Sequence, residues 1–264
     1  MLSAAPFECP PNLLVHAQQH PPLKTAVVNA ITETVMTSVK LATEHNLIEP
    51  ILVGDSDAIN STAAAINWDI RALTVIDAES DLKAAKLSVA LAHSDEVSAL
   101  MKGHIHSETL MQEALQRKQG IRLKRRPSHA FYMTVPGDQS GICITDAVIN
   151  ILPRVKQKIE ITRNAIELMH ALGHPNPRVA LISGTEVPTP EMPSSRDAVE
   201  IVKAAKNGAL PGAEIAGPMA LDVAISEKAA TIKGINNKVA GKADILLMPN
   251  LEAGNILFKQ MVYS

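Results

Sequence analysis

The chain has 264 residues, 46 % of them hydrophobic but only 2 % aromatic, and a formal net charge of -2. That length allows one large or two modest domains, and the scarcity of aromatics argues against an aromatic-rich β-sandwich and for helices packed on a mostly parallel, aliphatic sheet. So small a net charge gives no reason to expect a nucleic acid partner, and any anion site must be local.

The first residues, MLSAAPFECPPNLLVHAQQHPPLK, carry prolines at 6, 10, 11, 21 and 22. Residues 1–23 therefore read as a loose leader with one short helical turn around Leu13 to Gln19. It lacks the basic start and unbroken apolar core of a secretion signal. No stretch reaches the roughly 18–20 apolar residues of a membrane span. Cys9 and Cys143 are too few and too unevenly placed for a disulfide framework, which fits a reducing cytoplasm.

From Lys24 the pattern is regular. TAVVNA reads as a strand, Thr32 to His45 as a helix and ILVGD (51–55) as a strand. ALTVID (72–77) with a helix from Ser80 to Leu91, and VSALMKG (97–103) with a helix from Ser107 to about Gln119, repeat the theme. Strands separated by helices indicate crossovers and a parallel sheet. FYMTV (131–135) and GICITD (141–146) form a hairpin across the turn sequence PGDQS. Asn150 and Pro153 then open a long helix that ends at Gly173. RVALIS (178–183) is a strand, and Ser194 and Ser195 cap a helix closed by Gly208. EIAG (214–217) is a short strand, ALDVAISEKAA a helix, ADILLMP the last strand and Leu251 to Tyr263 the last helix. The change of rhythm at the hairpin places a domain boundary there, giving a first α/β domain over 24–145 and a second over 146–264.

Three stretches invite chemistry. In LMKGHIHSETLMQEAL (100–115) a strand delivers Lys102 and Gly103 to its C-terminal end and Ser107 starts a helix. Ligands bind at that edge of open parallel sheets, and a helix N-terminus there suits phosphate. His104 and His106 could face one metal ion, but two ligands are not a site and nothing at a standard spacing supplies the rest, so no metal is expected. In RKQGIRLKRRPSHAF (117–131), Arg117, Lys118, Arg122, Lys124, Arg125 and Arg126 put six cations in ten residues. No aromatic interleaves them as nucleic acid stacking would need. They are either a solvated face or an attractor for a small polyphosphorylated ligand, with arginine supplying forked contacts. The third stretch, AGPMALDVAIS (216–226), is ordinary strand, Gly-Pro and helix grammar with Asp222 in the first helical turn. In LEAGN (251–255), Gly254 admits either a ligand or a packing neighbour. No G-x-S-x-G, Walker loop or G-x-G-x-x-G is present.

These pieces resemble, in order and from about residue 24 onward, the phosphate acetyltransferase and phosphate butyryltransferase family. They are LMKG with its polar loop, the G-x-R of Gly120 to Arg122, SHAFYM (128–133), ITDAVINILP (144–153), GPMALDVAIS (217–226) and ADILLMPNLEAGNILFKQ (243–260). The SHAF and TDAVIN region is also similar to the acetyltransferase half of proteins that join an enoyl-CoA hydratase to this activity. The resemblance implies a two-domain α/β fold like that of isocitrate and isopropylmalate dehydrogenases, with mostly parallel sheets and a cleft between domains. It implies reversible transfer of an acetyl or other short acyl group between coenzyme A and inorganic phosphate.

Carried onto this sequence, the resemblance makes Lys102, Gly103, Ser107, Arg122, Arg126, Ser128, Gly217, Pro218 and Asn255 the expected substrate or phosphate contacts. Arg126 best matches the acetyltransferase arginine before the SHAF-like segment, and Arg122 the butyryltransferase version. A second, helix-borne arginine of the acetyltransferases falls at Gln112. The family's serine, arginine and aspartate motif is expected beyond Ser264, so no catalytic residue is assigned. Acyl-CoA, phosphate and acyl phosphate are the expected partners, with coenzyme A a substrate, no cofactor, a cytoplasmic location and a homodimer. The competing readings are a catalytically silent coenzyme A or phosphate binding domain, and a nicotinamide-dependent dehydrogenase of related fold, for which Asp146 and Asp222 supply too few metal-binding acids.

Overall fold

A computed structural model of the chain describes residues 9–122, 124–134 and 141–263. A short helix, α1 (Pro11–Ala17), precedes the first strand. The chain divides into two compact units, Leu13–Lys124 and one built mainly from Arg125 onward.

The N-terminal unit alternates strand and helix. It runs β1 (Leu23–Val28), α2 (Glu33–Glu44), β2 (Ile48–Gly54), α3 (Ser56–Ala65), β3 (Thr74–Asp77), α4 (Asp81–His93), β4 (Ala99–Lys102) and α5 (Ser107–Ala114). The four strands are all parallel, in the order β3-β2-β1-β4. Successive strand residues face opposite sides. Val27 and Leu52 therefore pack with Met36, Val39, Ile59 and Ala63 of α2 and α3, and Trp68 lies against the same cluster. Val28 and Val53 pack with Ala84, Ala85, Val89 and Leu110 of α4 and α5 on the other face. Small alanines at the contact let α4 sit close to the sheet, which is how this core is filled without aromatics.

The second unit contains β5 (Ala130–Thr134), β6 (Gly141–Thr145), α6 (Val155–Ala171), β7 (Arg178–Ile182), α7 (Pro193–Lys206), β8 (Glu214–Met219), α8 (Leu221–Ile225), α9 (Glu227–Ile232), β9 (Ile245–Leu247) and α10 (Leu251–Tyr263). Its sheet has the order β5-β6-β9-β7-β8. Only β5 runs antiparallel. Cys143, Val179, Leu181, Ile245 and Leu247 meet α6 and α7 on one face. Ile144, Ala180, Ile182 and Leu246 meet Val223 and Ala224 of α8, Ala230 of α9 and the Ala253 and Leu257 side of α10 on the other. Each Leu or Ile so buried contributes about 1.5–3 kcal/mol.

Several expectations are corrected. The hairpin β5–β6 pairs with β9, so the chain divides between Lys124 and Arg125 and not between 145 and 146. The PGDQS turn lies outside the described residues. Helix α3 went unread because SDAINSTAAA has little amphipathic contrast; its signal was Asp55, whose side chain caps it by accepting from the Ala58 amide. The α5 helix stops at Ala114, well before Gln119. Asn150 does not cap α6, whose N-cap is Arg154. Ser194 and Ser195 fall inside the first turn of α7, because Pro193 takes its first position. Ser195 Oγ instead binds the Met192 carbonyl and the Thr189 amide of the preceding loop. ALDVAISEKAA is two helices, broken where Ser226 turns extended and caps α9 through the Ala229 amide.

One buried charge sits between α6 and α7. Lys158, 4 % exposed, donates to Asp197 Oδ2 at 2.8 Å. Removing one partner of such a pair strands the other, whereas an apolar replacement of the buried member does not. Asp197→Ala is therefore expected to cost about 3 kcal/mol and Lys158→Met less than about 1 kcal/mol, measured by urea unfolding.

Candidate functional site

In the N-terminal unit all strands are parallel, so their C-terminal ends share one edge, and Lys102 and Gly103 stand there with the start of α5. Asn29, at the end of β1, organises this edge. It is 5 % exposed and has φ +61°, a left-handed conformation that asparagine tolerates better than most residues. Its Nδ2 donates to Asp81 Oδ1 at 2.8 Å and to the His104 carbonyl at 2.7 Å, tying the start of α4 to the β4–α5 turn. Gly103 is required at that point, since a Cβ would lie 2.5 Å from the carbonyl oxygens of both Val28 and Asn29. The turn carries Lys102, His104, His106 and Ser107 outward, all exposed. His106 is the N-cap of α5 but makes no side-chain cap bond. The first amides of α5 are thus not taken by a capping side chain, and the positive end of the helix faces out where an anion would be stabilised.

Arg122 is not gathered with that turn. The Ile121 amide donates to the Ala114 carbonyl, which places Arg122 at the far end of α5, about 12 Å along the helix from Ser107. The glycine of the G-x-R is a packing residue: a Cβ on Gly120 would meet the Ala114 carbonyl at 2.5 Å and the Gln116 carbonyl at 2.6 Å. Gln112 is exposed and donates to Glu108 one turn earlier. Among the described residues no group of three or more His, Cys, Asp or Glu could hold a metal ion.

In the second unit the antiparallel direction of β5 decides the geometry. Its start lies at the same edge as the ends of the parallel strands, with Ala130 opposite Thr145. The segment Arg126 to His129 is thereby set beside Asp146, and a polar network joins them. Asp146, 3 % exposed, accepts from the Val148 and Ile149 amides at Oδ1 (2.9 and 2.8 Å) and from the His129 amide and Asn150 Nδ2 at Oδ2 (3.1 and 2.6 Å). Asn150 Nδ2 also donates to the Pro127 carbonyl, and its Oδ1 accepts from Arg126 Nη1 at 3.0 Å. Asn164 of α6 donates to the Arg126 carbonyl and to Ser128 Oγ. Thr145 Oγ1 donates to the His129 carbonyl at 2.7 Å.

Arg126 is half-exposed. Glu160 Oε2 lies 3.5 Å from its Nε, an ion-pair distance without a hydrogen bond. Arg125 is turned the other way into an ion pair with Glu167 at 2.7 Å, which raises its pKa. Of the basic run, then, the two arginines nearest SHAF lie within ion-pair distance of α6 acids. For Arg117, Lys118, Arg122 and Lys124 no ion pair occurs among the described residues.

The remaining expected contacts are Gly217, Pro218 and Asn255. Gly217 closes on β7, where a Cβ would sit 2.6 Å from Leu181 Cβ. It and Pro218 end the edge strand β8, three strand spacings or about 14 Å from β6. Gly254 lets α10 meet the Asp146 carbonyl, 2.7 Å from where its Cβ would be, so it is a packing glycine. Asn255 Nδ2 donates to the Ala147 carbonyl, supporting the same loop from behind. Phe258 of α10 stacks on Phe131 of β5, with centroids 3.5 Å apart. Asp222 pairs with Lys233, as does Glu186, and this pairing depresses the Asp222 pKa.

Neither thiol is placed for chemistry at the sheet edge. Burial pushes the Cys143 pKa up to about 12, so this thiol stays protonated and unreactive. A maleimide is expected to label one cysteine, Cys9, in the native protein and both in denaturant, as counted by intact mass.

Residues 81–263 match the family model for phosphate acetyl/butaryl transferase. The chain belongs to this family. It is 43 % identical to a phosphate acetyltransferase of Rickettsia typhi over 96 % of this chain and 72 % of that protein. It is 37 % identical to a phosphate butyryltransferase of Clostridium acetobutylicum over 91 % of this chain and 80 % of that protein. Among solved structures, a branched-chain phosphotransacylase from Enterococcus faecalis superposes with a TM-score of 0.74 at 27 % identity, covering 90 % of this chain and 83 % of the other. A phosphotransacetylase from Staphylococcus aureus gives 0.73 at 20 % identity over 94 % and 84 %, a likeness of fold. The sequence pattern does not single out Asn29 in one unit, or Asp146 and Asn150 in the other, as residues that fix strand-end loops. Their only signals were an asparagine at a strand end and the ITDAVIN spacing, which sets acid and amide one helical turn apart.

Proposed function

We propose that this chain is an acyltransferase that moves an acetyl or other short acyl group reversibly between coenzyme A and inorganic phosphate. The observation that carries the reading is Arg126, held by side chains at the strand-end edge of a chain that matches phosphate acetyltransferases over nearly all its length. The chemistry asks for cations and exposed amides. Coenzyme A brings a pyrophosphate and a ribose phosphate, and the other substrate is phosphate or acyl phosphate. The thiol must lose a proton to attack, and the charge that develops on the acyl oxygen needs donors. Arg126 and Ser128 offer such donors at the strand-end edge of one unit, and the Lys102 to Ser107 turn, taken by itself, offers them at that of the other. Arg122, at the far end of α5, is a further cation for a phosphate group. No metal or redox cofactor enters this reaction. The protein acts in the cytoplasm as a homodimer, and among the described residues no helix is long and apolar enough to cross a membrane.

The test follows coenzyme A release from acetyl-, propionyl- and butyryl-CoA with phosphate, and acyl phosphate consumption with coenzyme A. Turnover with at least one acyl group is expected, and its rank order gives the chain-length preference. Coenzyme A binding by calorimetry without turnover of any of them would sink the reading. Sedimentation equilibrium at about twice the chain's mass checks the dimer.

A further inference from the structure

We propose that Asn150 is a positioning residue for acyl transfer, which fixes the Arg126 guanidinium in the orientation that meets the substrate anion; this rests on the reaction proposed above. Asn150 is 7 % exposed, and its amide has one consistent orientation. Nδ2 faces two acceptors, Asp146 Oδ2 at 2.6 Å and the Pro127 carbonyl at 3.0 Å, and Oδ1 faces one donor, Arg126 Nη1 at 3.0 Å. Turned over, the amide would set its oxygen against a carboxylate and a carbonyl. Asp146 is itself fixed by three backbone amides, those of Val148, Ile149 and His129. Rigid backbone thus determines the carboxylate, the carboxylate determines the amide, and the amide determines one end of the guanidinium.

On the other side of Arg126, Glu160 approaches Nε without hydrogen-bonding it. Among the described residues, Asn150 is therefore the one side chain that hydrogen-bonds this guanidinium. It is also neutral. An acid in its place would hold the arginine as well but would cancel its charge and repel an arriving phosphate. An amide orients the cation without adding a second carboxylate to the one that Glu160 already sets beside Nε.

The test is a double-mutant cycle of N150A and R126A in the full chain, read as kcat/KM for acetyl-CoA and phosphate and, separately, as inorganic phosphate affinity by calorimetry. N150A alone is expected to lose about 10- to 100-fold in kcat/KM through misplacement of the arginine. Added to R126A, it is expected to cost less than about twofold more. An equal loss from N150A in both backgrounds would mean that Asn150 acts on the fold and not through Arg126, and would overturn the proposal. Unchanged activity of N150A would also overturn it. Should N150A not fold, N150S keeps a hydroxyl near Asp146 but is too short to reach Arg126, and carries the same cycle. If the wild-type chain turns over no acyl group, the reaction assigned above fails while the phosphate cycle still decides Asn150. Phosphate affinity that does not depend on residue 150 when Arg126 is present counts against it.

Discussion

Replacing Arg126 with alanine is expected to lower kcat/KM for acyl transfer by about 10²- to 10³-fold, the usual cost of losing one fixed donor to developing negative charge. The fold should survive. Arg126 is half-exposed and its ion partner Glu160 is similarly exposed, with side chains at 36 % and 39 %, so neither is stranded in an apolar interior when the pair is broken. Arg126→Lys should recover only part of the loss, because an ammonium keeps the charge but lacks the planar fork that Asn150 holds at one end and a phosphate oxygen meets at the other. Steady-state kinetics beside thermal unfolding midpoints check this. A wild-type rate for the alanine variant would remove Arg126 from the site.

The largest stability loss is expected at Asp146. Its carboxylate is 3 % exposed and accepts four hydrogen bonds, three from backbone amides and one from Asn150. Asp146→Ala removes both acceptor oxygens, and with them all four hydrogen bonds, and leaves buried donors unmet. The cost is about 3–5 kcal/mol, within the range for breaking a buried charged network. Asp146→Asn should not rescue it. Whichever way the amide turned, its NH2 would face two donors, either the Val148 and Ile149 amides or the His129 amide and Asn150 Nδ2. Chemical denaturation should therefore show both variants destabilised. An asparagine variant of wild-type stability would show that the four-bond network is not what holds this loop.

Much of the fold was legible because its signals are local and strong. TAVV, ILVG and ILLM are apolar runs, and each is broken by a turn residue or a cap. The parallel arrangement followed from helices between strands. The domain division was misplaced because sequence rhythm marks where element types change, whereas a unit is defined by which strands pair. That β6 joins β9 is a contact across a hundred residues, with no trace in local pattern. The site was half legible. Strand-end grammar points to Lys102, Gly103 and Ser107 as candidates, and family resemblance to Arg126. Gly217, Gly254 and Asn255 meet neighbours far away in sequence, and the sequence pattern cannot tell a glycine that admits a ligand from one that admits a helix. Asn150 reads as a helix cap because asparagine before a helix usually is one, and only the folded positions of Asp146, Pro127 and Arg126 give its amide other partners.

The chain's single tryptophan, Trp68, packs in the N-terminal unit, whereas the Arg126 to Asn150 network lies in the other. Its emission is thus a spectroscopic label for one half of the molecule. If the units melt separately, Asp146→Ala would leave the fluorescence transition where it was while shifting part of the far-ultraviolet circular dichroism curve. Coincident curves would instead report that the two halves unfold as one cooperative system.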